Sequence, residues 1–318
     1  METLQKEYPG MNTVMTHRAF GKHAGIALGA VSNEARRLEG LLSRFIPRSD
    51  VSRINESAGL KHEMLSQDTY EVLSRAIEFS KYCCGSFDVT IGPLVALWKE
   101  GKDETRPPED LCIGQALSLV DYKDLILDPG KRTAKLKKAG QSIDLGGIGK
   151  GYAADKFLEV FRQYEVTSAF TNIGGNVATL GSKPDGSPWC VGIQHPRQED
   201  SLIGIVCVVG KTVVTSGDYQ RYFFGSNGKR YHHILDPSTG YPAESGLVSV
   251  TIIGDNSMMA DALSTILFVE GMEKGIELLR SFSGIEAIFI DKDLQVHITD
   301  GLTESFIASE GISVDVLQ

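Results

Sequence analysis

The chain predicts an α+β fold, a single large unit whose antiparallel sheets are flanked by helices. Three observations carry this. Segments of helical period alternate irregularly with short strand-like runs, so there is no repeating strand–helix unit. Seven strand-like runs follow one another, at 168–172, 176–180, 189–194, 203–209, 213–216, 221–224 and 247–253. No internal repeat and no clear linker interrupts the 318 residues. The domain reading is therefore one unit over 1–318, with 1–10 as a polar amino-terminal tail.

Residues 11–20 read as an entry strand. Ala27, Val31, Leu38, Leu41, Leu42 and Phe45 recur with helical period and predict a helix over 24–45. A polar, turn-rich stretch follows at 43–55. A second helix over 68–83 turns Val72, Leu73, Ala76, Ile77 and Phe79 inward, and Gly85–Pro93 breaks it. Charge and the Pro107-Pro108 pair make 101–110 a surface loop. Strands are expected at 124–128, 133–137 and 141–144, then a glycine turn and a helix over 150–164. After the seven strands, helices over 257–269 and 272–281 and strands at 286–291 and 294–298 close the pattern.

Composition bounds the function. Hydrophobic residues make up 42% and charged residues 23%, as in ordinary globular proteins. A net charge of −9 without any basic block argues against a nucleic-acid partner. Cys83, Cys84, Cys112, Cys190 and Cys207 have no metal spacing, and an odd count with an adjacent pair predicts reduced thiols. There is no amino-terminal apolar segment, no lipobox-like cysteine and no membrane-spanning run. The chain as it stands reads as cytoplasmic; one from which a leader had been removed would be extracytoplasmic and read the same.

Three stretches carry chemistry. The first is Asp144-Leu-Gly-Gly-Ile-Gly-Lys-Gly-Tyr-Ala-Ala-Asp155. Its glycines (146, 147, 149 and 151) leave the backbone free for left-handed conformations and close approach to a ligand. Lys150 and the following helix's amino end suit a phosphate. No Ser or Thr follows the lysine and Tyr152 occupies the third fingerprint position, so it is neither a P-loop nor a dinucleotide fingerprint. A plain strand-to-helix connection would use the same glycines.

The second stretch is the helix over 257–269, apolar nearly all round, with Asp261, Ser264 and Thr265 on one face. Both hydroxyls can bond a preceding carbonyl. Asp261 has no basic residue one turn away, and a buried carboxylate is expensive unless paired or metal-bound. That pattern suits a hard cation, with the glycine turn as a source of a carbonyl ligand; an Asp capping a loop is the alternative. In the third, Lys229-Arg-Tyr-His-His-Ile-Leu-Asp-Pro-Ser-Thr-Gly-Tyr-Pro242, a strand enters a turn shaped by Asp236 and Pro237. Strand alternation sends His232 and His233 to opposite faces, so at most one serves a given site.

Taken in order, the motifs resemble the ApbE-type FAD:protein FMN transferases, over residues 11–300. The resemblance rests on Ser43-Arg-Phe, Arg53-Ile-Asn55, Gly85-Ser-Phe-Asp-Val-Thr-Ile-Gly-Pro93, Asp144–Tyr152, Asn172-Ile-Gly-Gly-Asn176, Trp189–Pro196, Thr215–Tyr219, Tyr231–Pro242 and Asp261–Thr265. It implies an ApbE-like, T-fold-related unit that cleaves FAD at its pyrophosphate and moves FMN onto a threonine of an acceptor flavoprotein, releasing AMP. It implies FAD contacts from Met11, Phe45, Ser86, Phe87, Asp88, Asp144, Lys150 and Ile234. Mg2+ would be held by the Gly147 carbonyl, Asp261, Thr265 and Ser264, with His233 as the base. Where the family carries Met-Gly-Thr this chain has Met11-Asn-Thr13, which alters packing on the flavin side. His195 stands where an acidic residue is usual, and Gly149 where alanine is common.

Two other readings share the site. Water in place of the threonine gives a Mg-dependent FAD pyrophosphatase, and loss of turnover gives a flavin-binding or storage protein, against which the internal Asp261 argues. A nicotinamide oxidoreductase lacks its fingerprint. The expected partners are FAD and an acceptor protein with a threonine flavinylation motif, with room for a homodimer.

Overall fold

The computed structural model describes residues 3–103 and 106–317. The chain divides into two compact units. One comprises the chain up to Arg37, Ile148–Gly217 and the chain from Gly246 onward; the other comprises Leu38–Gly147 and Asp218–Ser245.

A nine-stranded sheet organises the first unit. Its order is Thr3–Gly10, Thr13–Phe20, Ala169–Ile173, Asn176–Leu180, Thr212–Gly217, Leu247–Gly254, Glu286–Asp291, Val296–Thr299 and Val314–Leu317. Neighbours are antiparallel except the last pair, which is parallel. The interior strand Leu247–Gly254 is buried at every position, as its Leu-Val-Ser-Val-Thr-Ile-Ile sequence suits. Alternation then sorts the faces. Ile288 and Ile290 pack with Trp189, Ile203 and Val206 of a three-stranded sheet. Phe289 points the other way, toward Gly275 and the helices Ser257–Glu270 and Met272–Leu279. Helix Gly149–Gln163 lies against the strands Ala169–Ile173 and Asn176–Leu180 and against helix Ser257–Glu270.

The second unit holds the helices Asp50–Glu56, Gln67–Tyr82, Gly92–Asp103 and Asp110–Leu117. It also holds a small sheet of Glu63–Met64, Thr133–Leu136 and Leu125–Asp128, and a ribbon of Tyr222–Phe224 with Arg230–His232. Leu94, Trp98, Ile113, Tyr231 and Leu235 form its core, and the Trp98 indole donates to the Gly240 carbonyl at 2.8 Å.

The α+β class with antiparallel sheets is as expected, but several elements differ. The polar tail is, from Thr3, a strand paired with Thr13–Phe20, because its hydrogen bonds are met in a hairpin although most of its side chains stay exposed. The stretch 43–55 contains a helix capped by Ser49, whose hydroxyl accepts from the Ser52 N–H. The expected strand 141–144 reduces to a single bridge from Ser142 to Ile91. Of the expected loop 101–110, residues 101–103 end a helix and Asp110 begins another, while 104 and 105 lie outside the described residues. Cys190 and Cys207 oppose each other on adjacent strands and form a disulfide, so the reduced-thiol expectation does not hold for that pair. Counting cysteines could not reveal that register. Among the described residues no helix is long and apolar enough to cross a membrane.

Candidate active site

In the first unit, two helices and two strand ends build an acidic corner. Asp261 is 4% exposed, and its Oδ2 accepts the Gly151 N–H at 2.8 Å. The carboxylate that found no partner on its own helix is met by the first turn of another. Burial pushes its pKa up, while the Lys150 ammonium and the Gly151 N–H pull it down. Lys150 also reaches the Asn176 side-chain oxygen at 3.3 Å. One turn along from Asp261, the Ser264 hydroxyl donates to the Asp261 carbonyl at 2.8 Å. Ser216, on strand Thr212–Gly217, lies 2.8 Å from the Ser264 hydroxyl and 3.3 Å from that of Thr265.

The helix Gly149–Gln163 has no capping side chain of its own. None of the four glycines expected to supply left-handed backbone has a positive φ. Gly151 is needed for space: a Cβ there would lie 2.2 Å from the Ser257 carbonyl oxygen. Left-handed backbone occurs instead at two hairpin tips. Met11 and Asn12 have φ of 50° and 59°, and Gly174 and Gly175 have 56° and 99°. Two residues of positive φ are what a tight hairpin turn requires, and Asn tolerates the position that the resemblance fills with glycine.

In the second unit, Asp144 Oδ1 accepts the Gly146 N–H at 2.7 Å and Oδ2 pairs with Arg44 at 3.0 Å. Gly147 follows in the same turn. The Arg44 guanidinium also lies over the Phe45 ring, 5.1 Å from its centre, with Lys99 at 5.5 Å, and the ring itself is 63% exposed. The Asp88 carboxylate is buried and accepts from Thr90 and from the Tyr122 N–H, holding the loop in which Ser86 and Phe87 stand. Burial raises its pKa.

The two histidines separate as strand alternation requires. His232 is enclosed: Nε2 faces the Ala243 carbonyl at 3.0 Å, Nδ1 accepts from the Ile234 N–H, and burial lowers its pKa. His233 is exposed, with Nδ1 3.2 Å from the Arg221 carbonyl. Donation from Nδ1 to that carbonyl makes Nε2 the basic nitrogen. Ile234 is buried between them and the Asp236 turn, where Asp236 accepts from the Ser238 N–H and hydroxyl.

Lys150, Asp261, Ser264 and Thr265 are thus gathered in one unit, and in the other the Arg44–Asp144 pair brings the neighbour of Phe45 to the turn that holds Gly147. Sequence reasoning gave no role to Arg44, Asn176, Ser216 or Asp155, although all four lie inside stretches singled out above. A carboxylate pairing with a partly buried arginine, or a side chain reaching a helix end from another helix, leaves no local spacing to find.

Comparison with known proteins follows this geometry. The ApbE family model matches residues 11–289. The chain belongs to the ApbE family. A FAD:protein FMN transferase of Klebsiella pneumoniae strain 342 is 38% identical over 262 residues, covering 82% of this chain and 81% of its own. One from Treponema pallidum strain Nichols is 34% identical over 314 residues, covering 92% and 86%. Among solved structures, the ApbE protein of Thermotoga maritima superposes with a TM-score of 0.88 at 31% identity, covering 96% of this chain and 99% of that one. The flavin transferase ApbE of Vibrio cholerae gives 0.85 at 25% identity, with the same coverage.

ApbE membership raises the question of whether the residues of this corner suit a magnesium ion. Asp261, Ser264, Thr265 and Ser216 offer oxygen donors only, with a single carboxylate. Among the described residues no group of three or more His, Cys, Asp or Glu could hold a metal. A hard cation that takes few protein ligands fits this donor set; a zinc or multi-carboxylate centre does not.

Proposed function

We propose that this chain is a Mg-dependent FAD:protein FMN transferase that moves FMN from FAD to a threonine hydroxyl of an acceptor protein and releases AMP. The observation that carries the reading is the buried Asp261 carboxylate beside the Lys150 ammonium, in a chain whose relatives are named FAD:protein FMN transferases. A binding protein has no use for a submerged, oxygen-only cation site next to a phosphate-seeking lysine.

Asp261 and Thr265, with Ser264 beside them, would hold magnesium, and the resemblance adds the Gly147 carbonyl. Bound there, the ion supplies Lewis-acid withdrawal of charge from a pyrophosphate. Lys150 holds a phosphate oxygen. Phe45, with the cations over its exposed ring, supplies a stacking surface for a flavin or adenine ring, and Met11, Ser86, Phe87, Asp88, Asp144 and Ile234 line the FAD contacts. His233 Nε2 takes the proton of the acceptor threonine, whose oxygen forms a bond to the FMN-side phosphorus as the bond to AMP breaks.

The test mixes the protein with FAD, Mg2+ and an acceptor domain bearing a threonine flavinylation motif. A mass gain equal to FMN on the threonine supports the transferase. Free FMN and AMP with no gain in acceptor mass gives the pyrophosphatase, and intact FAD gives a binding protein. In the same assay Asp261→Asn should lower transfer roughly a hundredfold, on the scale of one lost electrostatic group, and wild-type rate and metal affinity in that variant would remove Asp261 from the ligands.

A further inference from the structure

Asp155 lies on helix Gly149–Gln163, four residues after Gly151, and the proposed chemistry does not use it. Its Oδ1 accepts the Ser257 N–H at 2.8 Å and its Oδ2 the Met258 N–H at 2.9 Å. Asn256 takes the next N–H, that of Met259, at 2.7 Å. The first three N–H groups of helix Ser257–Glu270 are therefore closed by side chains. Asp261 lies four residues after Ser257 and accepts the Gly151 N–H in return.

Each helix thus sends a carboxylate from its second turn to an N–H in the first turn of the other. The two rungs stand about 6 Å apart along each axis, one helical turn. A single rung would let the helices pivot; two rungs fix both their slide and their rotation. Gly151 sits within the crossing, where a Cβ would meet both the Ser257 carbonyl and the Asp261 side chain. Lys150 precedes Gly151 by a single residue, Gly151 and Asp261 form one rung, and Asp155 anchors the other. We infer that Asp155 is a positioning residue: it sets where Asp261 stands relative to Lys150, and hence the affinity of the cation site.

The inference rests on the proposed metal role of Asp261, and its test separates the two. Mn2+ binding to the whole protein without FAD is measured by electron paramagnetic resonance, and FAD binding without metal by fluorescence. Asp155→Asn is nearly isosteric but turns an amide donor toward one of the two N–H groups. It should weaken Mn2+ binding at least tenfold, change metal-free FAD affinity less than twofold, and raise the Mg2+ concentration for half-maximal transfer. Asn256→Ala removes the neighbouring cap without touching either rung. It should lower the unfolding temperature comparably while leaving Mn2+ binding within twofold. Should Asp155→Asn fail to fold, Asp155→Glu keeps both acceptors on a longer stem and should still weaken Mn2+ binding several-fold.

Equal Mn2+ affinity in wild type and the Asp155 variant overturns the inference. So does equal weakening by Asn256→Ala, because Asp155 would then be an ordinary cap. A wild-type protein that binds no Mn2+ overturns the metal reading itself and this inference with it.

Discussion

The acidic corner and the histidine corner solve opposite problems. Asp261 is buried, and its position is fixed from outside its own helix, by the Gly151 N–H. His233 is exposed, and its ring bonds the nearby Arg221 carbonyl. A buried charge must be matched by a donor wherever the fold can bring one, so its environment is long-range and rigid. An exposed base needs only its tautomer set, and a local turn does that. Damage to the first corner should therefore appear in stability and metal affinity, and loss of the exposed His233 in catalysis alone.

The largest expected effect belongs to His233. His233→Ala should lower FMN transfer roughly 10²- to 10⁴-fold, the range of a lost general base. The unfolding midpoint and FAD affinity should stay close to wild type. His232→Ala should do the reverse, since that ring fills an enclosed site and bonds Ala243. Stopped-flow transfer assays beside urea titrations check both. A His233→Ala variant with wild-type transfer would end the base assignment.

Acid should find the first unit's weak point. His17 is fully buried between Tyr8 and Phe157, and among the described residues neither ring nitrogen has a hydrogen-bond partner. Burial lowers its pKa from 6.5 to about 4. Between those values the unfolded chain binds a proton that the folded protein refuses. Stability contributed by the neutral ring is complete above pH 6.5 and falls as the pH drops toward 4, by up to about 3 kcal/mol. His17→Phe should flatten that slope in thermal unfolding measured across the window. A slope unchanged by the substitution would place the acid sensitivity elsewhere.

How much of this was legible in the sequence follows the same division. Helices such as Gln67–Tyr82 and Ser257–Glu270 were visible because their apolar patterning is a local signal. The Asp236 turn and the opposed histidines were visible for the same reason. The strand Thr3–Gly10 was not, because an exposed hairpin arm carries no apolar alternation and is recognised only through its partner. The Arg44–Asp144 pair and the Asp155–Ser257 rung join residues about a hundred positions apart, which no window spans. The role of Gly151 was misread as conformational freedom because tight helix crossing and left-handed turns both select glycine.

Gly151→Ala tests that correction. Its Cβ would press on the Ser257 carbonyl oxygen, so the helices must part and both rungs lengthen. Overpacking of this kind costs about 2 kcal/mol. Urea unfolding should show it, together with weaker Mn2+ binding. A variant with wild-type stability would mean that the helix pair yields easily, and the rigidity claimed for the acidic corner would fail.

The smallest effect should come from the hairpin tip beside that corner. Thr13, which follows the tip, touches Gly174, and the strand after Gly174 and Gly175 begins with the Asn176 that meets Lys150. Met11 holds φ at 50°, a conformation that costs a non-glycine residue about 1 kcal/mol. Glycine removes that strain but enlarges the unfolded ensemble by a similar free energy. Met11→Gly should therefore leave the unfolding free energy within about 0.5 kcal/mol while weakening FAD binding several-fold, because the side chain is lost and the backbone kept. Unchanged FAD affinity would free Met11 from the flavin contacts and leave its left-handed backbone a requirement of the turn alone.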